Sequence, residues 1–206
     1  YLKGIIMSKL IKTATFTFAV IATINIFSAC SKEENTPSIN IDQLYQNING
    51  SYVGTANMRN SENILGSKST TWIAKKEIIS VKNITGSDLA GGVKDHSSKL
   101  YQALLNATNG KLEITMMSFR PQERSIVFST LAKLSFTINL DGQQVEVVGT
   151  GGSRPFSCYY VMSTQEMFFN FTITNLKKSN ERGSFTPLST DYNLPVTFEF
   201  DSHQKN

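Results

Sequence analysis

Residues 133–143 read Lys133-Leu134-Ser135-Phe136-Thr137-Ile138-Asn139-Leu140-Asp141-Gly142-Gln143, and this stretch decides the fold class. Leu134, Phe136, Ile138 and Leu140 alternate with Ser135, Thr137 and Asn139. That period of two puts apolar side chains on one face of a strand and polar ones on the other. Asp141-Gly142 then separates this run from a second one at 143–149, and a two-residue Asp-Gly loop is the sequence signal of a type I′ hairpin. Outward from this hairpin, further strand-like runs occupy residues 51–59, 70–84 (broken near Ser80), 111–119, 125–131, 156–162, 167–176 and 196–201. In one of them Phe169, Phe171 and Ile173 alternate with Asn170, Thr172 and Thr174.

Two segments follow the helical period instead. Ile41, Leu44, Tyr45 and Ile48 recur at helical spacing, with Asn40 placed to cap the start and Gly50 just past the end. Leu100, Tyr101, Leu104 and Leu105 do the same within 88–109, with Ser97 or Ser98 as the cap and Asn109-Gly110 as the stop. No repeat, low-complexity tract or internal linker divides the chain. The expectation is a mainly β domain with two short helices, its strands forming either a single antiparallel β-barrel or a two-sheet β-sandwich.

The amino-terminal region is organised differently. Met7-Ser8-Lys9-Leu10-Ile11-Lys12 forms a short basic segment, and residues 14–27 form an apolar run. A run of that length falls short of the roughly 20 residues a bilayer-spanning helix needs and matches the core of a signal peptide. Met7 is the expected start, which leaves residues 1–6 upstream of it. The run ends in Phe27-Ser28-Ala29-Cys30, which resembles the lipobox of bacterial lipoproteins. The resemblance implies that residues 1–29 are removed and that Cys30 is acylated. Ser31-Lys32-Glu33-Glu34 resembles the short export signal that sends Bacteroidetes-type lipoproteins to the outer face of the outer membrane. Residues 30–38 then read as a lipidated tether with a reach of about 25 Å when extended, and residues 39–206 as the globular domain. More than one acyl chain holds a protein at a membrane where a single chain does not.

Cleavage before Cys30 changes the charge. The whole chain carries 20 basic and 16 acidic residues. Lys3, Lys9 and Lys12 precede Cys30 and no acidic residue does, so 17 basic residues remain (20 less 3) against 16 acidic ones. A net charge near +1 without clustered Lys and Arg removes the argument for nucleic acid as a partner. Acylation of Cys30 also leaves Cys158 unpaired. Its setting, Phe156-Ser157-Cys158-Tyr159-Tyr160, reads as a buried thiol in preference to a reactive nucleophile.

Asn49-Gly50-Ser51-Tyr52-Val53-Gly54-Thr55 resembles the Gly-x-Tyr-x-Gly opening strand of calycin-like (lipocalin-related) domains, which implies a barrel. As a whole the chain resembles Bacteroidetes-type lipoproteins of a domain-of-unknown-function family, a resemblance that implies location and fold and assigns no chemistry.

Groups for catalysis are sparse. His203 lies near the end, and His96 sits in Asp95-His96-Ser97-Ser98, where a polar loop leading into the second helix competes with a catalytic reading. No paired cysteines, His-x-x-x-His or calcium-loop pattern occurs, so neither a metal nor another cofactor is implied. Gly149-Thr150-Gly151-Gly152-Ser153-Arg154 is the one glycine-rich stretch; an anion cradle is weighed there against a flexible connection, and the second reading is preferred because no helix follows. Trp72, Tyr159 and Phe168 are the candidate ligand contacts. Tyr159 and Phe168 point opposite to their neighbours Tyr160 and Phe169, so if one face is core the other exposes aromatic rings. The functional expectation is a non-enzymatic lipoprotein, anchored to the membrane through Cys30, whose β domain binds a small ligand, a glycan or an outer-membrane protein. An accessory subunit of an outer-membrane complex is the alternative, and a hydrolase using His96 comes after it.

Overall fold

The computed structural model describes residues 40–61, 63–179, 184–193 and 195–205. Cys30, the segment Ser31-Lys32-Glu33-Glu34, the signal peptide and the tether lie outside the described residues. The chain from Asn40 onward forms one compact unit.

Helix α1 (Ile41–Ile48) begins where the sequence places its cap: the Asn40 side chain accepts hydrogen bonds from the backbone N–H groups of Asp42 and Gln43 at 3.1 and 3.3 Å. Leu44 and Ile48 are its buried residues. Ten strands follow among the described residues: β1 (Gly50–Arg59), β2 (Ile64–Lys75), β3 (Ile78–Val81), β4 (Lys111–Pro121), β5 (Ser125–Leu140), β6 (Gln143–Gly152), β7 (Cys158–Val161), β8 (Glu166–Ser179), β9 (Phe185–Pro187) and β10 (Val196–Lys205). Between β3 and β4 lie a 3-10 turn at Gly86–Gly92 and helix α2 (Lys99–Leu105). Of the two candidate caps, Ser98 serves α2, its side chain accepting from Tyr101 N–H at 3.1 Å.

All strand pairings are antiparallel, and they run in order from β1 to β6, then to β8. Strand β10 pairs with both β8 and β1, so the sheet closes on itself. It is not a regular barrel, because two strands share the gap between β5 and β8. Strand β6 fills one half of that gap, pairing 143–152 with 131–140 of β5. The short β7 fills the other, pairing with 125–128 of β5 and 166–168 of β8.

At the seam where β6 gives way to β7, side chains replace the missing ladder bonds. Thr130 Oγ1 donates to the carbonyl of Asn170 at 2.6 Å, and the Asn170 N–H is directed at Cys158 Sγ at 3.5 Å. Ser153 Oγ accepts from Thr130 N–H, and Ser129 Oγ accepts from Phe156 N–H. A buried backbone group without a partner costs about 1–3 kcal/mol, which accounts for Thr130 on the otherwise apolar inner face of β5 and for buried Ser129 beside it on the outer one. Cys158 is accordingly a buried free thiol.

Rings occupy the interior. Trp72 lies parallel to Tyr52 (5.9 Å, 10°) and edge-on to Phe169 (5.3 Å, 88°), while Phe169 stacks on Phe200 at 4.5 Å and Phe171 on Phe198 at 5.0 Å. A β-barrel of about eight strands is just wide enough for side chains to fill it. Gly54, the second glycine of the Gly-x-Tyr-x-Gly stretch, sits where β1 and β10 shift register. A Cβ there would lie 2.1 Å from Asp201 O and 2.7 Å from the Trp72 ring.

Several sequence expectations change. Residues 125–131 and 133–140 are one strand, because Ile126, Phe128, Thr130, Ala132, Leu134, Phe136 and Ile138 all bury on the same phase, and Leu131 points outward, half exposed. The break in 70–84 falls at Lys76 (φ +53) and Glu77, not near Ser80. The stretch from Gly149 to Gly152 is strand and not a flexible connection. Gly151 packs so closely on β8 that a Cβ would lie 1.9 Å from Thr172 O.

Candidate functional site

Strands β7 and β8 position an outward-facing aromatic pair, Tyr159 exposed and Phe168 half-buried. Tyr159 stands opposite Phe168 in the ladder, and their rings stack at 5.2 Å with 21° between planes. Alternation sends Tyr160 and Phe169 into the core, at 3% and 0% exposure, and leaves Tyr159 42% exposed. The third candidate, Trp72, does not join them: it is 1% exposed and belongs to the interior stack, so its reading as a ligand contact is corrected. Its position at an inward-facing point of β2 excludes it from any surface platform.

Two residues from the pair along the chain come Ser157, just before β7, and Asn170 on β8. The Asn170 side-chain N–H₂ reaches Ser157 O and Oγ at 3.4 and 3.3 Å. These two residues also line a groove of about 650 Å³ whose other walls are Arg59, Gly152, Ser153, Arg154, Thr172, Thr197 and Glu199. The aromatic pair does not line the groove but lies next to it, two residues from Ser157 and Asn170 along the chain. The groove is ordered by its own bonds: Arg59 Nη2 pairs with Glu199 Oε2 at 2.9 Å, and Thr172 and Thr197 join their hydroxyls at 2.9 Å. Arg154 is exposed and has no carboxylate partner among the described residues. The N–H groups of Ser153, Phe156 and Ser157 are directed at Thr130 O, Ser129 Oγ and Arg154 O, so the glycine-rich stretch does not offer the set of free amides an anion cradle needs.

A second cleft, also about 650 Å³, lies between α2 and the β5–β6 hairpin and is crossed by the exposed Lys99–Asp141 pair at 2.6 Å. His96, at its edge in sequence, stacks on Tyr101 (4.3 Å). Asp95 accepts from Ser97 N–H and Oγ–H at 2.9 and 2.6 Å, bonds that hold its carboxyl below the usual carboxylate range, and it makes no bond to His96. The Asp95-His96-Ser97 sequence therefore is not a relay in space. Among the described residues no group of three or more His, Cys, Asp or Glu is placed to hold a metal ion, and no helix is long and apolar enough to cross a membrane.

No family model, curated protein or solved structure matches this chain. Its site is thus described by its own chemistry. The groove was missed in the sequence because its walls come from β1, β6, β8, β10 and the segment between β6 and β7, and only the glycine-rich stretch and the outward phase of Tyr159 and Phe168 pointed to it.

Proposed function

We propose that this chain is a surface-displayed lipoprotein, anchored through acylated Cys30, whose β domain binds a ligand or partner on its exterior and performs no catalysis. The observation that carries the binding reading is exposed Tyr159 stacked on half-buried Phe168 at the outer wall, while Trp72, Phe169, Phe171, Phe198 and Phe200 fill the interior. With the interior occupied, contact is assigned to the outer wall. Aromatic side chains exposed beside a polar groove supply apolar area together with hydrogen-bonding groups, the combination that small-ligand sites use.

Each half has its own test. Mass spectrometry of the membrane-extracted protein is expected to find a mature chain beginning at acylated Cys30; a soluble chain starting elsewhere overturns the anchor. Radical footprinting of the anchored protein on intact cells is expected to protect Tyr159 and Phe168 relative to the purified chain, while Tyr101 on α2 is labelled equally in both. Equal labelling at all three positions overturns exterior binding at this face.

An accessory subunit of an outer-membrane complex is the second reading. It is favoured by the exposed apolar side chains of Val53, Ile73, Met117 and Leu131, spread over the outer faces of β1, β2, β4 and β5. In that case the footprint falls on Ile73, Met117 and Leu131 and spares Tyr159.

A further inference from the structure

We propose that the groove bounded by Arg59, Arg154, Asn170 and Glu199, together with the Tyr159–Phe168 pair beside it, is a carbohydrate-binding site. The proposal rests on the exterior-binding reading above and names the ligand class.

The chemistry of the walls selects that class. A sugar ring has an apolar face of C–H groups and a rim of hydroxyls, each both donor and acceptor. An aromatic platform matches the first. The second needs donors and acceptors in alternation, which the groove supplies. Arg59 and Arg154 only donate, Glu199 only accepts, and Asn170, Thr172 and Thr197 do both. Glu199 accepts from Arg59 through one oxygen, Oε2, and a carboxylate has capacity for several further bonds. The paired arrangement therefore keeps acceptors and donors side by side, the pattern that two neighbouring sugar hydroxyls complete.

Other classes fit less well. A phosphate or sulfate would meet the Glu199 carboxylate beside Arg59 and would find the neighbouring backbone amides already bonded. A purely apolar ligand would bury Arg154 with no carboxylate partner among the described residues and would strip water from the Arg59–Glu199 pair, whose remaining donors and acceptors it could not satisfy, at a cost of several kcal/mol by the usual penalty for unpaired polar groups. The floor is also preformed. The glycines of β6 let that strand lie close on β8, and Thr172 and Thr197 fix each other across β8 and β10, so little ordering is needed on binding. Arg154 at the rim, with no carboxylate partner among the described residues, adds a preference for sugars that carry a carboxylate.

The mature chain in detergent micelles is titrated with a panel of neutral oligosaccharides and of uronate-containing ones. At least one member is expected to bind with a Kd below about 1 mM, the affinity of a modest site, and uronate-containing members to bind more tightly. Tyr159→Ala and Glu199→Gln are each expected to weaken that binding at least tenfold with the circular dichroism spectrum unchanged. Arg154→Ala is expected to remove the preference for uronates while retaining the neutral ones, and Lys99→Ala in the distant cleft to change nothing. A panel that binds nowhere overturns the proposal, as does binding indifferent to Tyr159→Ala and Glu199→Gln. If the cell-surface footprint at Tyr159 is present but the panel is silent, the ligand class fails and exterior binding stands; if both are absent, both fail.

Discussion

At the residue scale the seam between β6 and β7 is the most exacting part of the structure. Asn170 faces a gap in the wall, and its carbonyl depends on one side-chain hydroxyl, Thr130 Oγ1 at 2.6 Å, with the Cys158 thiol as a distant second donor at 3.8 Å. Thr130→Val keeps the shape and deletes the donor. Unfolding in urea is expected to show a loss of about 1–3 kcal/mol, the cost of leaving a buried acceptor unsatisfied. Cys158→Ala alone is expected to cost less, and the double variant to cost more than the two separately, since each donor covers for the other. Additive losses would mean that the two groups act independently. None of this was legible in the sequence, where Thr130 merely interrupts an apolar alternation. The free thiol of Cys158 was legible, because only burial explains a cysteine among alternating apolar residues.

Elements were legible where local chemistry dictates them and illegible where the partner strand does. The β5–β6 turn is the first kind. Asp141 and Gly142 take φ +54° and +80°, as the type I′ loop requires, and nothing lies within 4 Å of a Cβ at Gly142. Gly142→Ala therefore meets no steric clash and isolates the backbone term. A loss of about 1–2 kcal/mol is expected from forcing a residue with Cβ into the left-handed region, read as a lowered urea midpoint with an unchanged slope. The β2–β3 turn is the second kind. It bends at Lys76, φ +53°, with no glycine to mark it, and is held from outside by Asn49 Oδ1, which accepts from Lys76 N–H at 2.7 Å. Strand β5 is a third case. Leu131 is apolar and points outward, so it breaks the sequence alternation at the one place where the real phase passes through polar Thr130 and small Ala132. Likewise the groove's walls lie on four strands and one connecting segment far apart in sequence, which no local pattern brings together.

At the scale of the whole molecule, burial of phenol groups couples the fold to alkaline pH. Tyr52 is fully buried and donates its hydroxyl hydrogen to Ile48 O, tying β1 to α1. Tyr192 is 5% exposed, and its hydroxyl has no hydrogen-bond partner among the described residues. Burial pushes both far above the ordinary tyrosine value of 10.0. A folded-state pKa above the unfolded one means that the stabilising contribution is complete below pH 10. Above it the unfolded chain gives up protons that the folded chain keeps, so stability falls as pH rises. Each such group costs about 1.4 kcal/mol per pH unit in that range. Lys205 works the other way. Its ammonium donates to Asn47 O at 2.5 Å, and burial lowers its pKa below the usual 10.5, so its charged form is disfavoured in the fold and stability recovers as it deprotonates. It is only half buried, and two phenols outweigh it. The urea midpoint is expected to be flat from pH 7 to 9 and to fall steeply above 10. Tyr192→Phe separates burial from bonding, because the hydroxyl it removes makes no bond: stability at pH 7 is expected to be equal or higher, and the alkaline fall shallower by about one proton's worth. An alkaline slope unchanged by Tyr192→Phe would show that Tyr192 is not held neutral by burial in the folded chain.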